Sequence, residues 1–447
     1  MKIKFILPAL EEAVSPFWRP IKYALFPPLG LATLAAFCAP EDEVSLWDEH
    51  VERVDAEDRP DLAVIETYIT NAHRAYELAD RYRQRGVYVA LGGLHATSLP
   101  REAARHADSV LTGLGEGTFP AFLADLRRGE AQPLYRAGQV CLARAPLPRR
   151  DLIKREKYLV PNSMLISRGC PNACDFCYVD SFFRGGRRFY TYPLERILRE
   201  MDSLPGKHLY FLDDNLFADR PLSEALLQEM RGMGRLFQGA MTVRDAQDER
   251  LVRLAHDAGL RSAFIGFEST NRLSLAAAGK RANLDQDYAR AIRNLDAVGV
   301  MINGSFIFGM DEDTPDTFRA TADWAVGQGI ATATFHILTP YPGTALYERY
   351  RPRMRVHDWR RYDTRHIVFE HPTMTAEQVE SGYWEAYRHF YKLGNIREGA
   401  RHHASAALRR KHLLYSTAWK KLDPLWNAVI RSGLLGQARK ILERTLR

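Results

Sequence analysis

Short apolar runs alternate with amphipathic stretches through the first 345 residues, and this alternation predicts the fold. In residues 1–130 the apolar runs have the length of buried strands, and helical periodicity fills the segments between them. The predicted strands are Ile3–Pro8, Glu43–Trp47, Asp61–Ile65, Val87–Leu91 and Ser109–Thr112, and the predicted helices are Leu29–Cys38, Ala72–Arg85 and a segment from about Thr118. Strands that alternate with helices form a parallel, doubly wound sheet, so we expect a Rossmann-like domain.

From residue 161 to residue 345 the alternation continues with a longer period. The predicted strands are Ser163–Ser167, His208–Leu212, Gln238–Val243, Ser262–Phe267, Ile302–Phe308 and Thr332–Leu338. The predicted helices are Leu194–Leu204, Leu222–Met233, Glu249–Ala258, Leu284–Ala297 and Pro315–Gln328. Six strand–helix repeats predict a partial (β/α)6 barrel, whose chemistry should lie at the carboxyl ends of the strands.

The remaining segments complete an α/β chain of three parts. Residues 131–160 contain the proline-rich and charged stretch Ala145–Arg150 and are predicted to be a linker. Residues 346–447 are predicted to be mostly helical, with an aromatic-rich helix over Met374–Leu393 and a basic tail. The expected domains are therefore 1–130, 161–345 and 346–447.

The net charge of +7 comes from the carboxy-terminal tail. Residues 401–447 carry eleven Lys or Arg and two Asp or Glu, so the rest of the chain is slightly acidic. A basic groove for nucleic acid is therefore not expected. The tail also contains Trp419, Leu425 and Trp426, a pattern typical of a helix packed on the barrel or of one lying on an anionic membrane.

The sequence contains no clear targeting or membrane-spanning segment. The longest uncharged stretch runs from Tyr23 to Pro40, but Pro27, Pro28 and Gly30 interrupt it. Its continuous apolar part is too short to cross a bilayer, and no cleavage site follows the apolar run near the amino terminus. We expect a cytoplasmic protein that can associate with a membrane only through its tail.

Three closely spaced cysteines supply the strongest chemical signal. Cys170, Cys174 and Cys177 form a C-x3-C-x2-C loop directly after a predicted strand. Thiolates are the usual ligands of iron–sulfur clusters, and three of them leave one iron of a four-iron cluster open. Structural zinc held with a remote histidine is the alternative. Five cysteines, an odd number, do not suggest a disulfide framework.

With Phe176 before the last cysteine, this loop resembles the signature of the radical S-adenosylmethionine (SAM) enzymes. The resemblance implies that SAM chelates the open iron of a [4Fe-4S] cluster through its amino and carboxylate groups. An electron from the reduced cluster then splits the sulfonium and gives a 5'-deoxyadenosyl radical. The implied partner is a low-potential electron donor such as flavodoxin or ferredoxin.

Polar residues at the other predicted strand ends are candidates for SAM binding. By the same resemblance, Glu268 and Ser269 would contact SAM and Arg244 would pair with its carboxylate. The Asp213–Asp214 pair would face SAM or substrate. The alternative for each residue is a cap or a loop hydrogen bond. The full set is Phe176, Asp213, Asp214, Arg244, Glu268, Ser269 and Ser305.

The glycine-containing turns of the first domain resemble the amino-terminal domain of cobalamin-binding radical SAM enzymes. Pro27–Gly30 and Leu91–His95 contribute to this resemblance, and the implied cobalamin-binding residues are Thr67, Thr70, Gly92, Gly93, His95 and Glu116. The D-x-H-x-x-G motif is missing, and its nearest approach is Asp48-Glu-His50. Histidine ligation of cobalt is therefore not implied, and a domain that no longer binds cobalamin is the alternative.

The resemblance covers residues 1–345 and implies methylation of an unactivated carbon in a small-molecule or lipid-like substrate. One SAM would methylate cob(I)alamin, and a second would supply the radical that abstracts a substrate hydrogen before methyl transfer. One alternative is a radical SAM enzyme with a vestigial cobalamin domain that makes or rearranges another bond. A remote alternative is a non-catalytic cobalamin or metal sensor. The sequence assigns no catalytic side chain and no substrate.

Overall fold

The computed structural model describes residues 1–10, 21–183, 185–418, 426, 428–430 and 432–446. Within these residues the chain forms two six-stranded parallel sheets and a two-stranded antiparallel ribbon. The predicted α/β fold, with a doubly wound sheet followed by a partial barrel and a helical end, is confirmed.

The first sheet has the strand order β2-β1-β3-β4-β5-β6. Its strands are β1 Lys2–Leu7, β2 Glu43–Asp48, β3 Leu62–Glu66, β4 Tyr88–Gly92, β5 Ser109–Thr112 and β6 Leu134–Arg136. Its helices are Leu29–Ala35, Ala72–Gln84, Leu94–Ser98, Pro100–Ala103 and Gly115–Arg128, with 3-10 turns at Ile21–Ala24 and Ile69–Asn71. The sequence did not predict β6, which lies within residues 131–160 and pairs with β5. The domain boundaries proposed from the sequence stay predictions.

The second sheet has the order β14-β13-β12-β11-β10-β7 and forms the partial barrel. Its strands are β7 Ser163–Met164, β10 His208–Phe211, β11 Leu236–Met241, β12 Leu260–Glu268, β13 Met301–Phe308 and β14 Thr332–Ile337. Between β7 and β10, β8 Ser167–Gly169 and β9 Phe189–Thr191 form the antiparallel ribbon. The helices are Val179–Phe182, Leu194–Ser203, Arg220–Met230, Val243–Ala246, Glu249–Asp257, Arg272–Ala277, Tyr288–Ala297 and Pro315–Gly327, with a 3-10 turn at Arg281–Asn283.

The predicted strand Ser163–Ser167 is divided in the structure into β7 and β8. The Asp213 carboxylate, at the end of β10, accepts hydrogen bonds from the backbone N–H groups of Ile166 and Ser167 at 3.1 and 2.7 Å. A side chain therefore takes the place of a strand partner at this point. The chain leaves the barrel sheet there and enters the ribbon that precedes the cysteine loop.

The aromatic-rich carboxy-terminal helix, Ala376–Phe390, covers the edge strand β14. The Tyr387 hydroxyl lies 3.1 Å from the Phe335 amide, and the Tyr391 hydroxyl lies 2.9 Å from the Ala333 carbonyl. These contacts shield a strand edge that would otherwise be open to another chain. Tyr383, Phe390 and Tyr391 of this aromatic stripe are buried in the protein core.

Other elements complete the carboxy-terminal part and the connector. The helices are Ala345–Tyr350, Leu393–Arg401, Ala406–Ser416 and Leu435–Leu446, and the 3-10 turns are Leu142–Arg144, Arg150–Leu152, Arg155–Lys157, Arg351–Arg353 and Trp359–Arg361. The last helix buries Leu435 and Leu446 against the rest of the protein. Trp419 and Leu425, part of the predicted basic amphipathic tail, lie outside the described residues. Among the described helices, none combines the length and apolar character that a bilayer crossing requires.

Candidate active site

The cysteine loop starts directly after β8 and ends at the short helix Val179–Phe182. Gly169 has a φ of 82°, and a Cβ at this position would overlap the backbone carbonyl of Arg188 in the ribbon. A glycine is therefore required where the loop turns away from β8. This turn places all three cysteines in partly buried positions at the barrel edge.

The three thiols have the chemistry of cluster ligands held away from solvent. Burial raises the pKa of each of them, in Cys177 to about 12. Within the described residues, no three His, Cys, Asp or Glu side chains converge as the ligands of one metal ion. A cubane cluster places each cysteine on a different iron, so three thiols of one loop fit a [4Fe-4S] cluster with one open iron.

A polar cavity of about 610 Å³ adjoins Cys174. Arg244 lines it from the end of β11 and is exposed, and no described carboxylate lies within ion-pair distance of its guanidinium. A guanidinium beside the cluster loop can pair with the carboxylate of a ligand on the open iron. The residues around this cavity therefore fit SAM.

Glu268 ends β12 beside the same loop in an unusual backbone conformation. Its φ is 63°, in the left-handed region that residues other than glycine rarely adopt. Its carboxylate is buried and lies 2.6 Å from the Nζ of Lys280. Strained backbone that the surrounding structure holds in place is typical of functional sites.

The other predicted SAM residues are placed in several ways. Asp213 accepts bonds from the Ile166 and Ser167 backbone and from the Ser167 hydroxyl at 2.5 Å, and burial raises its pKa to about 7. Ser269 accepts a bond from the Asn271 amide at 3.0 Å. Ser305 is buried within β13, and Phe176 packs against the barrel core. Direct contact of these four side chains with SAM stays a prediction.

Two neighbouring cavities of about 410 and 360 Å³ lie between the first domain and the barrel. Tyr68, after β3, and Tyr178, after the last cysteine, line both of them. The Tyr68 hydroxyl donates to Glu66 at 3.0 Å, and the Tyr178 hydroxyl donates to Asp214 at 2.7 Å. We call these two cavities the interdomain chamber. The residue that follows the cysteine loop and the carboxyl end of the first sheet thus both line this chamber.

Burial raises the pKa of Glu66 and Asp214, two of the carboxyl groups that line the chamber. For Glu66 and Asp214 the loss of water around the carboxylate is the largest cause, and hydrogen bonds from Tyr68 and Tyr178 act against it. Asp214 retains accessible surface because it faces the open space of the chamber while protein surrounds it on other sides. The predicted residue Asp214 therefore faces the chamber, whereas Asp213 does not line it.

The predicted cobalamin-binding residues form the wall and the frame of the chamber. His95 and Thr70 line it, and no described residue is within hydrogen-bond distance of the buried His95 Nδ1. The Thr67 hydroxyl bonds within the domain, because it donates to the Gly92 carbonyl at 2.7 Å and accepts from the Ala96 amide. A chamber lined by aromatic rings and several polar side chains, with an unpaired ring nitrogen, fits a large ligand with polar edge groups.

Two further predicted residues of this domain shape the backbone and the domain interface. Gly93 has a φ of 100°, and a Cβ there would lie 2.8 Å from the Thr67 carbonyl oxygen. The Glu116 carboxylate accepts hydrogen bonds from Arg168 at 2.6 Å and from the Tyr192 hydroxyl at 3.0 Å. Burial alone would raise the pKa of Glu116, but the Arg168 guanidinium holds it below its ordinary value. Glu116 therefore joins the first domain to the barrel.

Comparisons with known proteins agree with this architecture. Residues 23–123 match the model of the B12 binding domain, and residues 164–325 match the model of the Radical SAM superfamily. The chain is 30% identical over 380 residues to the bacteriochlorophyllide d C-12(1)-methyltransferase of Chlorobaculum tepidum, with 82% of each chain covered. This chain belongs to the cobalamin-binding radical SAM enzymes. The cofactors of this family are a [4Fe-4S] cluster, SAM and cobalamin.

Two further comparisons extend the same result for this radical SAM enzyme. The chain is 26% identical over 385 residues to the bacteriochlorophyllide d C-8(2)-methyltransferase of the same organism, with 80% of this chain and 85% of the relative covered. The fold is similar to that of the radical SAM methyltransferase TsrM from Kitasatospora setae, with cobalamin and a [4Fe-4S] cluster bound. That similarity has a TM-score of 0.68 at 15% identity and covers 98% of this chain and 100% of TsrM.

Five residues of the site were missed by sequence reasoning. They are Glu66, Tyr68, Arg168, Tyr178 and Lys280. Tyr178 and Arg168 flank the cysteine motif, so their proximity along the chain was an available signal. Lys280 lies twelve residues after its partner Glu268 in an irregular segment, and no periodic pattern marks it.

Proposed function

We propose that this enzyme transfers a methyl group from SAM to an unactivated carbon of a tetrapyrrole-like or lipid-like small molecule. The observation that carries the proposal is the interdomain chamber, because Tyr68 of the cobalamin domain and Tyr178 of the cysteine loop line the same space. With the corrin against the His95 and Thr70 wall, a substrate would occupy the part of the chamber next to Tyr178 and would lie between the two cofactor sites. The chain's similarity to two methyltransferases named for bacteriochlorophyllide d supports the same reaction class.

The chamber walls favour a flat, largely apolar substrate. Five tyrosines and two leucines line its larger cavity, together with Lys22 and Arg365. These are Leu10, Tyr23, Tyr68, Leu94, Tyr178, Tyr341 and Tyr362. Aromatic walls pack well on a conjugated ring, and Lys22 at the wall suits a substrate that carries a carboxylate, whereas Arg365 pairs with Asp363 in the same wall. Both features agree with a tetrapyrrole acid.

When bound, the cluster and SAM supply a 5'-deoxyadenosyl radical and the cobalamin supplies the methyl group. The protein's own residues would hold and orient these partners. Cys170, Cys174 and Cys177 would bind the cluster, and Arg244 would pair with the SAM carboxylate. His95, Thr70 and the backbone at Gly92 and Gly93 would contact the corrin. The Arg168–Glu116 pair would keep the two domains together and exclude water from the chamber between them.

The test uses anaerobically purified enzyme that carries both metal cofactors. The enzyme is incubated with methyl-labelled SAM, a chemical low-potential reductant and either bacteriochlorophyllide d or a lipid extract. We expect 5'-deoxyadenosine and label transfer to a carbon of one substrate class, with no transfer by cobalamin-free enzyme. Equal 5'-deoxyadenosine without any transferred label would contradict methyl transfer and favour another radical reaction.

We also propose two partners for this enzyme. The first is a low-potential electron donor such as flavodoxin or ferredoxin, which the reduction of the cluster requires.

The second is an anionic membrane surface, because the helix Leu435–Leu446 exposes Lys440, Ile441 and Arg444 while its ends are buried. Ile441 is 62% exposed between these two cations. Contact with the membrane would suit an enzyme with a membrane-derived substrate.

Membrane contact is tested by sedimentation with vesicles of anionic or zwitterionic phospholipid. We expect binding to the anionic vesicles only, with a loss of severalfold in the double variant Lys440→Glu and Arg444→Glu. The matched control is Arg253→Glu, which changes a basic residue on an exposed barrel helix. Unchanged binding of the double variant would show that this helix does not contact the membrane.

A further inference from the structure

Lys280 lies next to the cysteine loop although its position in the sequence is far from it. It follows Gly279, whose φ is 65° and whose Cβ, if present, would lie 2.5 Å from Oδ1 of Asp175. The segment therefore packs directly on the residues between the second and third cysteines. The Lys280 Nζ lies 5.7 Å from the centroid of the Phe176 ring, within the range of a cation–π contact.

A buried ion pair joins Lys280 to the strained end of β12. Its Nζ lies 2.6 Å from the Glu268 carboxylate, and the two side chains are 17% and 8% exposed. A Cβ at Gly266 would overlap this carboxylate, so the glycine makes room for the pair. The ion pair therefore lies where β12 is irregular in two ways. Glu268 has a left-handed backbone conformation, and the register between β12 and β13 shifts between Gly266 and Glu268.

The charge of Lys280 acts on the thiols of the loop. The Glu268 carboxylate, 2.6 Å from the Lys280 Nζ, favours the charged form of the lysine. The neighbouring Gly279 packs against Asp175, between the second and third cysteines. Lys280 is therefore a cation next to the cluster ligands, at a position that solvent screens poorly.

A fixed cation affects the two redox states of a cluster differently. A cluster held by three thiolates becomes more negative when it accepts an electron. Because a buried positive charge interacts more strongly with the more negative state, it favours the reduced cluster. Net charge and hydrogen bonding around the sulfurs are among the factors that set cluster potentials.

We propose that Lys280 is a positioning residue of the cluster site that fixes Glu268 through their ion pair and raises the reduction potential of the bound cluster. This role involves the cluster and the residues around it. It does not depend on methyl transfer or on the identity of the substrate, so it can be measured without either.

The experiment compares Lys280→Met, which removes the charge at similar length, with Lys280→Arg, which keeps it. Lys207→Met, at an exposed position, is the matched control. After anaerobic reconstitution and assay of iron and sulfide, each enzyme is titrated without SAM and the reduced cluster is quantified by electron paramagnetic resonance. At a fixed solution potential we expect about a tenfold lower ratio of reduced to oxidised cluster in Lys280→Met. This ratio corresponds to a midpoint potential that is lower by about 59 mV for a one-electron reduction. Lys280→Arg and Lys207→Met should stay within about twofold of the parent enzyme.

A second variant, Glu268→Gln, breaks the ion pair and keeps the lysine charge, so its potential should equal or exceed that of the parent. An unchanged midpoint in cluster-loaded Lys280→Met would overturn the proposal, and so would an equal shift in Lys280→Arg. If Lys280→Met alone fails to retain iron, the cluster requires the cation and the charge role is supported. If both variants fail equally, packing rather than charge is responsible. A shifted midpoint without methyl transfer would contradict the proposed function and leave this role intact.

Discussion

The carboxyl edges of the two parallel sheets face one chamber, but they are built in different ways. On the first sheet, Thr67 and Gly93 form a tight turn whose polar groups bond within the domain. On the barrel, Arg244, Asp214 and the Glu268–Lys280 pair present charged groups beside the cysteine loop. The first edge therefore provides mainly shape, with Glu66 as its carboxylate in the chamber, and the second provides most of the charge. This difference matches a large, mostly neutral corrin on one side and a cluster with a zwitterionic ligand on the other.

The largest effect is expected from a variant that loses the cluster and leaves the first domain unchanged. Cys174→Ala should abolish the [4Fe-4S] cluster and reductive SAM cleavage, because two cysteines cannot replace three as cluster ligands. Iron, sulfide and 5'-deoxyadenosine are measured under anaerobic conditions, and retained cobalamin is measured by its visible spectrum. Cys141→Ala, at an exposed position, should behave as the parent enzyme. SAM cleavage by Cys174→Ala would refute the cluster assignment.

The next largest effect is expected where the two regions are joined. Glu116→Gln leaves the largely buried Arg168 guanidinium without its carboxylate, and breaking such a pair costs about 3–5 kcal/mol of unfolding free energy. Denaturant unfolding of cofactor-loaded protein measures this loss. Glu249→Gln, which breaks an exposed pair with Arg253, should change stability by no more than about 0.5 kcal/mol. If the two variants lose the same unfolding free energy, the Arg168–Glu116 pair stabilises the protein no more than an exposed ion pair does.

The same pair predicts a pH dependence. Since the folded-state pKa of Glu116 is lowered, its ionised form stabilises the folded protein above the unfolded-state pKa of about 4.3. This stabilisation is lost as the pH falls through the lower folded-state value. The stability difference between the parent and Glu116→Gln should therefore be constant above about pH 5 and should shrink below about pH 4. A difference that does not vary with pH would exclude ionised Glu116 as its source.

A smaller effect tests whether the first edge acts through its backbone shape. Gly93→Ala forces a side chain into a conformation that is essentially restricted to glycine and places it against Thr67, at a cost of about 3 kcal/mol. Gly129→Ala, with a φ of 73° and open space around it, should cost about 1–2 kcal/mol. Unfolding and cobalamin retention are measured for both variants. If folded Gly93→Ala retains cobalamin normally, the shape of this turn is not required for corrin binding.

The smallest effect concerns one charge at the barrel edge. Arg244→Met should weaken SAM binding by about tenfold to a hundredfold, because one charged hydrogen bond contributes about 1.5–3 kcal/mol. Equilibrium binding of SAM to the cluster-loaded enzyme measures the change, with Arg253→Met as the control on an exposed helix. Cluster content should be unchanged. If the affinity for SAM is unaltered, Arg244 is not the residue that pairs with the SAM carboxylate.

Local patterns predicted much of the fold and part of the site. Strands such as β1, β3 and β13 were visible because each is a buried apolar run of sufficient length. Strand β6 was missed because it has three residues, two of them exposed, and so lacks an apolar pattern. The helix Leu29–Ala35 was predicted too long because the apolar residues Ala36, Phe37 and Cys38 follow it. The helix Tyr288–Ala297 was predicted to begin four residues early, because Asp287 caps it by accepting a hydrogen bond from the Arg290 amide.

The sequence by itself determined the cysteine loop, the alternation of strands and helices, and the family, because these depend on residues that are close along the chain. Only the tertiary structure brought Lys280 to the loop and paired Arg168 with Glu116, which are 52 residues apart. It also assigned Asp213 to backbone support and Asp214 to the chamber, although the two are adjacent in sequence. The physical reason is that a side chain's charge and hydrogen bonds act over a few ångströms in space, and spacing along the chain does not fix those neighbours.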